Sequence, residues 1–211
     1  MAQKKQMQKR KSAQAKQGFT IIEVVLVLAI AGLIFLMVFV ALPALQRSQR
    51  DTQRRNDMAR IDTSLTQYQT NNQGTNNGTN LPEAGKVDPV DTPTMCDTDN
   101  SACKFLKRYM NAGDGSATTN TFQDPDGKYY GIYIFPFDNK GTGSADTGNL
   151  KAGTTSSGKN GWLYNKNDMD HNIYIVTSAV CDGEAAVNAT ARHYAVLYRL
   201  EGSGVYCIDD Q

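Results

Sequence analysis

Between Phe19 and Leu45 the chain runs for 27 residues with a single charge, Glu23. No other feature limits its folding as strongly. A helix needs roughly 20 apolar residues to cross the hydrocarbon core of a bilayer. Val24 to Leu45 supplies 22 uncharged residues in a row. The first 18 residues carry Lys4, Lys5, Lys9, Arg10, Lys11 and Lys16 and no acid. By the positive-inside rule that flank stays cytoplasmic and everything after Leu45 lies outside. Arg47, Arg50, Arg54, Arg55 and Arg60 follow the run and weaken the rule, although Asp51, Asp57 and Asp62 are interleaved with them.

Composition divides along the same line. Six of the 22 basic residues sit before Phe19, which leaves 16 against 21 acids, or about −5, for a product beginning there. An acidic, Asn-, Gly- and Thr-rich remainder is not built to coat nucleic acid, and none is expected as a partner. All four cysteines lie beyond residue 95, outside any CxxC or Cys/His zinc spacing. An even number in an exported part points to two disulfides, against four buried free thiols as the alternative. Four cysteines allow three pairings. Proximity favours Cys96–Cys103 and Cys181–Cys207.

An ordinary signal peptide ends its short apolar stretch at a small residue. Here the order is reversed, with Gly18 before the greasy run. The segment Lys16-Gln17-Gly18-Phe19-Thr20-Ile21-Ile22-Glu23 resembles the class III signal of type IV prepilins: Gly, then Phe, then Glu five residues into the product, then a hydrophobic helix. The resemblance covers about residues 10 to 70. It implies cleavage between Gly18 and Phe19 by a membrane-embedded prepilin peptidase, then N-methylation of Phe19. An uncleaved signal anchor is the alternative. It also implies that the Phe19 amine meets Glu23 of a neighbouring subunit and sets axial register. A carboxylate at membrane depth is costly and calls for a cationic partner. A snorkelling acid at the interface is the alternative for Glu23.

The expected fold class is α+β. One helix from Phe19 to about Thr70 has a hydrophobic half (19–45) and an amphipathic half (46–70), and packs on a small antiparallel sheet in a head spanning 71–211. Met58, Ile61, Leu65 and Tyr68 form one stripe at helical spacing. Gly32 and Pro43 are expected bend positions, because glycine weakens a helix and proline removes one of its hydrogen bonds. Asn71–Asn80 should end the helix as a flexible stretch. Ser101–Met110 reads as a short helix. Lys128–Phe137, Asn172–Val180, His193–Leu200 and Gly204–Ile208 read as strands, the last two joined by a hairpin turn. Trp162–Tyr164 reads as a short edge strand, and Asn139–Gly161 as a surface loop. A stapled C-terminal segment is common in pilins, which suits Cys181–Cys207.

Little chemistry is legible in the head. Asp124-Pro125-Asp126-Gly127 resembles part of a calcium loop, but Asp-Gly before a strand is also an ordinary turn. Asn77-Gly78-Thr79 and Asn188-Ala189-Thr190 fit a glycosylation sequon. Neither histidine, His171 or His193, has a metal-pair spacing, and no nucleophile motif surrounds a serine. No enzyme activity and no cofactor are expected. The leading functional expectation is a type IV pilus subunit serving adhesion, surface motility or DNA uptake. Its implied partners are copies of itself and other pilins, the peptidase, an assembly ATPase and a platform protein. The alternatives are a pseudopilin of a type II secretion or competence system, and a monomeric membrane-anchored binding protein. The expected location is the cytoplasmic membrane before assembly and the cell surface after it.

Overall fold

The computed structural model describes residues 18–74, 80–87, 101–110, 122–137, 150–164, 171–202 and 204–211. The chain divides into two compact units, Met1–Ala44 and Leu45–Gln211. Helix α1 runs Ile21–Asn71 without a break at Gly32 or Pro43. It starts two residues later than expected because Thr20 is the cap. The Thr20 carbonyl accepts from the Glu23 and Val24 amides at 3.1 and 3.4 Å.

In the second unit α1 buries the expected stripe. Met58, Ile61 and Leu65 are fully buried and Tyr68 packs against them. The stretch after α1 is less loose than expected at its far end. Asn80 is buried, takes a left-handed φ of 56°, and accepts the Gly74 amide on its Oδ1 at 2.8 Å. The sequon at Asn77 lies outside the described residues, whereas Asn188 is exposed at the end of a strand. Ser101–Met110 is helical, with α2 at Ser101–Phe105 passing into a π turn at Leu106–Met110.

The strands are β1 (Gly85–Val87), β2 (Gly131–Pro136), β3 (Leu150–Thr154), β4 (Asn160–Tyr164), β5 (Asn172–Thr177), β6 (Ala179–Asp182), β7 (Ala185–Asn188), β8 (Tyr194–Arg199) and β9 (Val205–Asp209). They form two sheets, ordered β1-β2-β5-β8-β9 and β3-β4-β7-β6. The architecture is α+β, and the five-stranded sheet is mixed. Its β2 and β5 run parallel, while the other pairs are antiparallel. A parallel pair needs a long crossover, and residues 137–171 supply it, carrying β3 and β4 on the way.

That crossover corrects two expectations. The region 139–161, read as a surface loop, contains β3 and the start of β4. Trp162–Tyr164 is no edge either, since β4 lies between β3 and β7. The strand read as Asn172–Val180 is broken at Ser178, whose φ is 60°, so β5 ends in one sheet and β6 begins in the other. The β8–β9 hairpin is as expected, with Leu197 opposite Cys207.

The five-stranded sheet is the middle layer. Tyr130, Ile132, Ile134, Ile173, Ile175, Tyr194, Val196 and Tyr198 share a core with the α1 stripe and α2. The alternate residues Tyr133, Phe135, Tyr174, Val176, Ala195 and Leu197 form a second core with Ala179 and Ala186 of the other sheet. Both faces of β2, β5 and β8 are therefore covered, which is why these strands are apolar without alternation.

Candidate functional site

The processing and assembly residues lie in the first unit. Gly18 is exposed, and a Cβ built there would meet nothing within 4 Å. Its φ is not left-handed. The same open space surrounds Gly32. The fold of a single chain therefore gives no reason for glycine at either place, although glycine in an exposed helix costs about 1 kcal/mol relative to alanine.

Thr20 and Glu23 form one half of a capping box, the carboxylate reaching back to the first residue's amide, which the sequence reading missed. The Thr20 amide and hydroxyl both donate to Glu23 Oε2, at 3.4 and 3.3 Å. The signal was present as Thr-x-x-Glu ahead of an apolar run. The box gives the Glu23 carboxylate a local partner inside its own chain.

The 19 large apolar side chains that are exposed among the described residues all lie from Phe19 to Leu45, with Phe19 and Ile21 each 85% exposed. The helix carrying them is long and apolar enough to cross a membrane. A soluble monomer does not normally leave so large an apolar surface in water.

In the second unit, a polar network fixes α1 to the sheet. Arg54, only 4% exposed at its side chain, donates Nε and Nη2 to the two oxygens of fully buried Asp124, each at 2.8 Å. The Tyr198 hydroxyl donates to Asp124 Oδ2 at 2.6 Å. Arg54 also reaches Asp51 and Glu201, and Arg50 grips Glu201 at 2.6 and 2.7 Å. Asp51 accepts the Glu201 and Gly202 amides at 2.8 and 2.9 Å, holding the β8–β9 turn. Burial by itself would raise the Asp124 pKa, but hydrogen bonds led by that from Arg54 outweigh it and hold the carboxyl far below the usual range. Asp57 goes the other way: its burial raises it despite the Tyr130 hydroxyl at 3.0 Å.

This network answers part of the calcium question. Asp124, Asp126 and His171 bring ligand atoms within 4.8 Å of one another. Both Asp124 oxygens also accept from the Arg54 guanidinium, which already balances the charge of that carboxylate. Asp124 also accepts the Asp126 amide at 3.1 Å and, through its carbonyl, the Gly127 amide at 2.8 Å. Those bonds close a turn, with Gly127 at φ 91°. Of the arginines that seemed to oppose export, Arg50 and Arg54 are neutralised here, Arg55 lies over Tyr206 and Arg60 over Phe122.

Cys181 and Cys207 are bonded, joining β6 to β9 and so one sheet to the other. Asp209 adds a second tie, accepting the Cys181 amide at 2.7 Å. Cys103 is also in a disulfide, while Cys96, its expected partner, lies outside the described residues.

Residues 14–39 match the family described as the prokaryotic N-terminal methylation motif. The chain therefore carries the class III, type IV prepilin-like signal, and that signal supports a pilin-like or pseudopilin protein. No curated protein and no solved structure matches the chain. The signal and the long apolar helix fit a membrane-anchored protein.

Proposed function

We propose that this chain is a structural subunit of a type IV pilus. In this reading prepilin peptidase cuts between Gly18 and Phe19 and methylates the new Phe19 amine. An assembly ATPase and a platform protein then move the subunit from the cytoplasmic membrane into a surface filament built of its own copies and other pilins. The observation that carries the reading is the confinement of all exposed large apolar side chains, among the described residues, to Phe19–Leu45, directly after the matched signal. In a filament those side chains exchange lipid for neighbouring helices. The free space at Gly18 and Gly32 supports it, since close approach by another chain is a use for glycine that the isolated fold lacks. Phe19 and Glu23 lie on one helix face as i and i+4. Glu23 exchanges its capping bonds for the cleaved amine of a neighbour, which sets register. Gly32 and Pro43 are the places where α1 bends in the fibre.

The pseudopilin alternative shares the matched signal, so the length of the fibre separates the two. Electron microscopy of wild-type and deletion strains tests the pilus reading. Long fibres that vanish on deletion and contain this chain support it; unchanged fibres overturn it. Motility, adhesion and DNA-uptake assays on the same deletion then assign the fibre's task.

A further inference from the structure

A cavity of about 360 Å³ lies where α1 ends, lined by Gln69, Gln73, Asn80, Arg192 and Asp210 together with Thr70 and Gly74. Its size falls within the range of roughly 300–1,000 Å³ typical of small-molecule sites. Among the described residues its lining has no large apolar side chain, which suits a ligand that is polar over most of its surface. Three amide side chains offer donors and acceptors together, as sugar hydroxyls do. Among the described lining residues one cation, Arg192, is balanced by one anion, Asp210, so a ligand of either net charge would face one like charge.

The walls are also held before any ligand arrives. Gln69 Nε2 donates to the Arg192 carbonyl at 2.6 Å. Asn80 is buried in its left-handed conformation with Oδ1 fixed on the Gly74 amide. Asp210 is 2.9 Å from His193 Nδ1. Side chains fixed in advance lose less entropy on binding.

We propose that this cavity binds a neutral, hydroxyl-rich saccharide. Arg192 and Gln73, both exposed, donate to its hydroxyls, and Asp210 accepts from them. The site belongs to the head and does not depend on filament assembly, so its failure and that of the pilus reading are told apart by separate measurements.

The test uses the full chain in a detergent without a sugar headgroup. Saturation-transfer NMR is recorded with D-galactose, N-acetyl-D-glucosamine and the acidic N-acetylneuraminic acid. Transfer to at least one of the neutral sugars is expected. Gln73→Ala and Arg192→Ala touch no core residue and should each weaken binding about 5–10-fold, as loss of one or two ligand hydrogen bonds does. The proposal is overturned if neither neutral sugar receives saturation from folded protein, if only the acidic sugar does, or if the double variant binds as wild type does.

Discussion

Replacing Arg54 by Met removes the cation while keeping most of its volume. Asp124 would then be a fully buried carboxylate left with the Tyr198 hydroxyl, the Asp126 amide and the His171 ring, whose Nδ1 lies 3.9 Å from Oδ2. Breaking a buried pair from one side costs about 3–5 kcal/mol, because the remaining charge is desolvated without compensation. For a domain of this size that lowers Tm by roughly 6–20 °C. The pH dependence gives a sharper test. In the wild type the Asp124 pKa is depressed in the folded state. Its contribution is therefore complete above the unfolded value of about 3.9 and is lost as pH falls below it. Without Arg54, burial dominates and the folded pKa rises. The variant should then gain stability as pH falls from 7 toward 4, where the wild-type Asp124 contribution is nearly flat. Asp57, whose raised pKa also favours acid, is present in both proteins and largely cancels in the difference. Urea unfolding of the full chain in micelles, followed by near-UV circular dichroism from pH 4 to 8, measures both quantities. A loss below about 1 kcal/mol at pH 7, or identical pH slopes, would refute the reasoning. Arg54→Met combined with Asp124→Asn should cost less than the sum of the two by about 1–3 kcal/mol.

Intact-mass analysis should show a product beginning at Phe19 with one added methyl group, whereas Gly18→Phe should leave the chain at full length. Glu23→Ala should be processed normally yet give no filaments by electron microscopy; normal fibres from it would exclude the register role. Replacing Cys181 and Cys207 together by Ser should destabilise the head by about 2–4 kcal/mol, read by chemical unfolding, since the bond closes a loop of sequence separation 26. Leu65→Ala, at a fully buried position of the α1 stripe, should cost about 2–5 kcal/mol in the same assay.

Local and one-dimensional signals were the ones legible in the residues. The class III signal and a helix long and apolar enough to cross a membrane follow from Gly18, Phe19 and Glu23 at fixed offsets on an uninterrupted apolar run. They depend on composition along one helix and on no distant contact. The Met58–Ile61–Leu65–Tyr68 stripe was legible for the same reason, because helical periodicity marks a buried face before its partner is known. The β8–β9 hairpin followed from a short glycine-containing turn. The second sheet did not follow. Its strand β3 lies in a stretch rich in Gly, Ser and Thr whose composition reads as loop, and only pairing with β4 makes it a strand. The one hint was the absence of alternation in KYYGIYIFPF and HYAVLYRL, which signals two covered faces.

By itself, then, the sequence determined the prepilin-like signal and the long apolar helix that follows it, because apolar length and residue offsets act locally. Only the tertiary structure decided what Asp124 does. Read along the chain, it was a candidate calcium ligand four residues before Lys128. Folding brings Arg54, 70 residues away, against its two oxygens, and a buried carboxylate takes its role from whichever cation is fixed beside it.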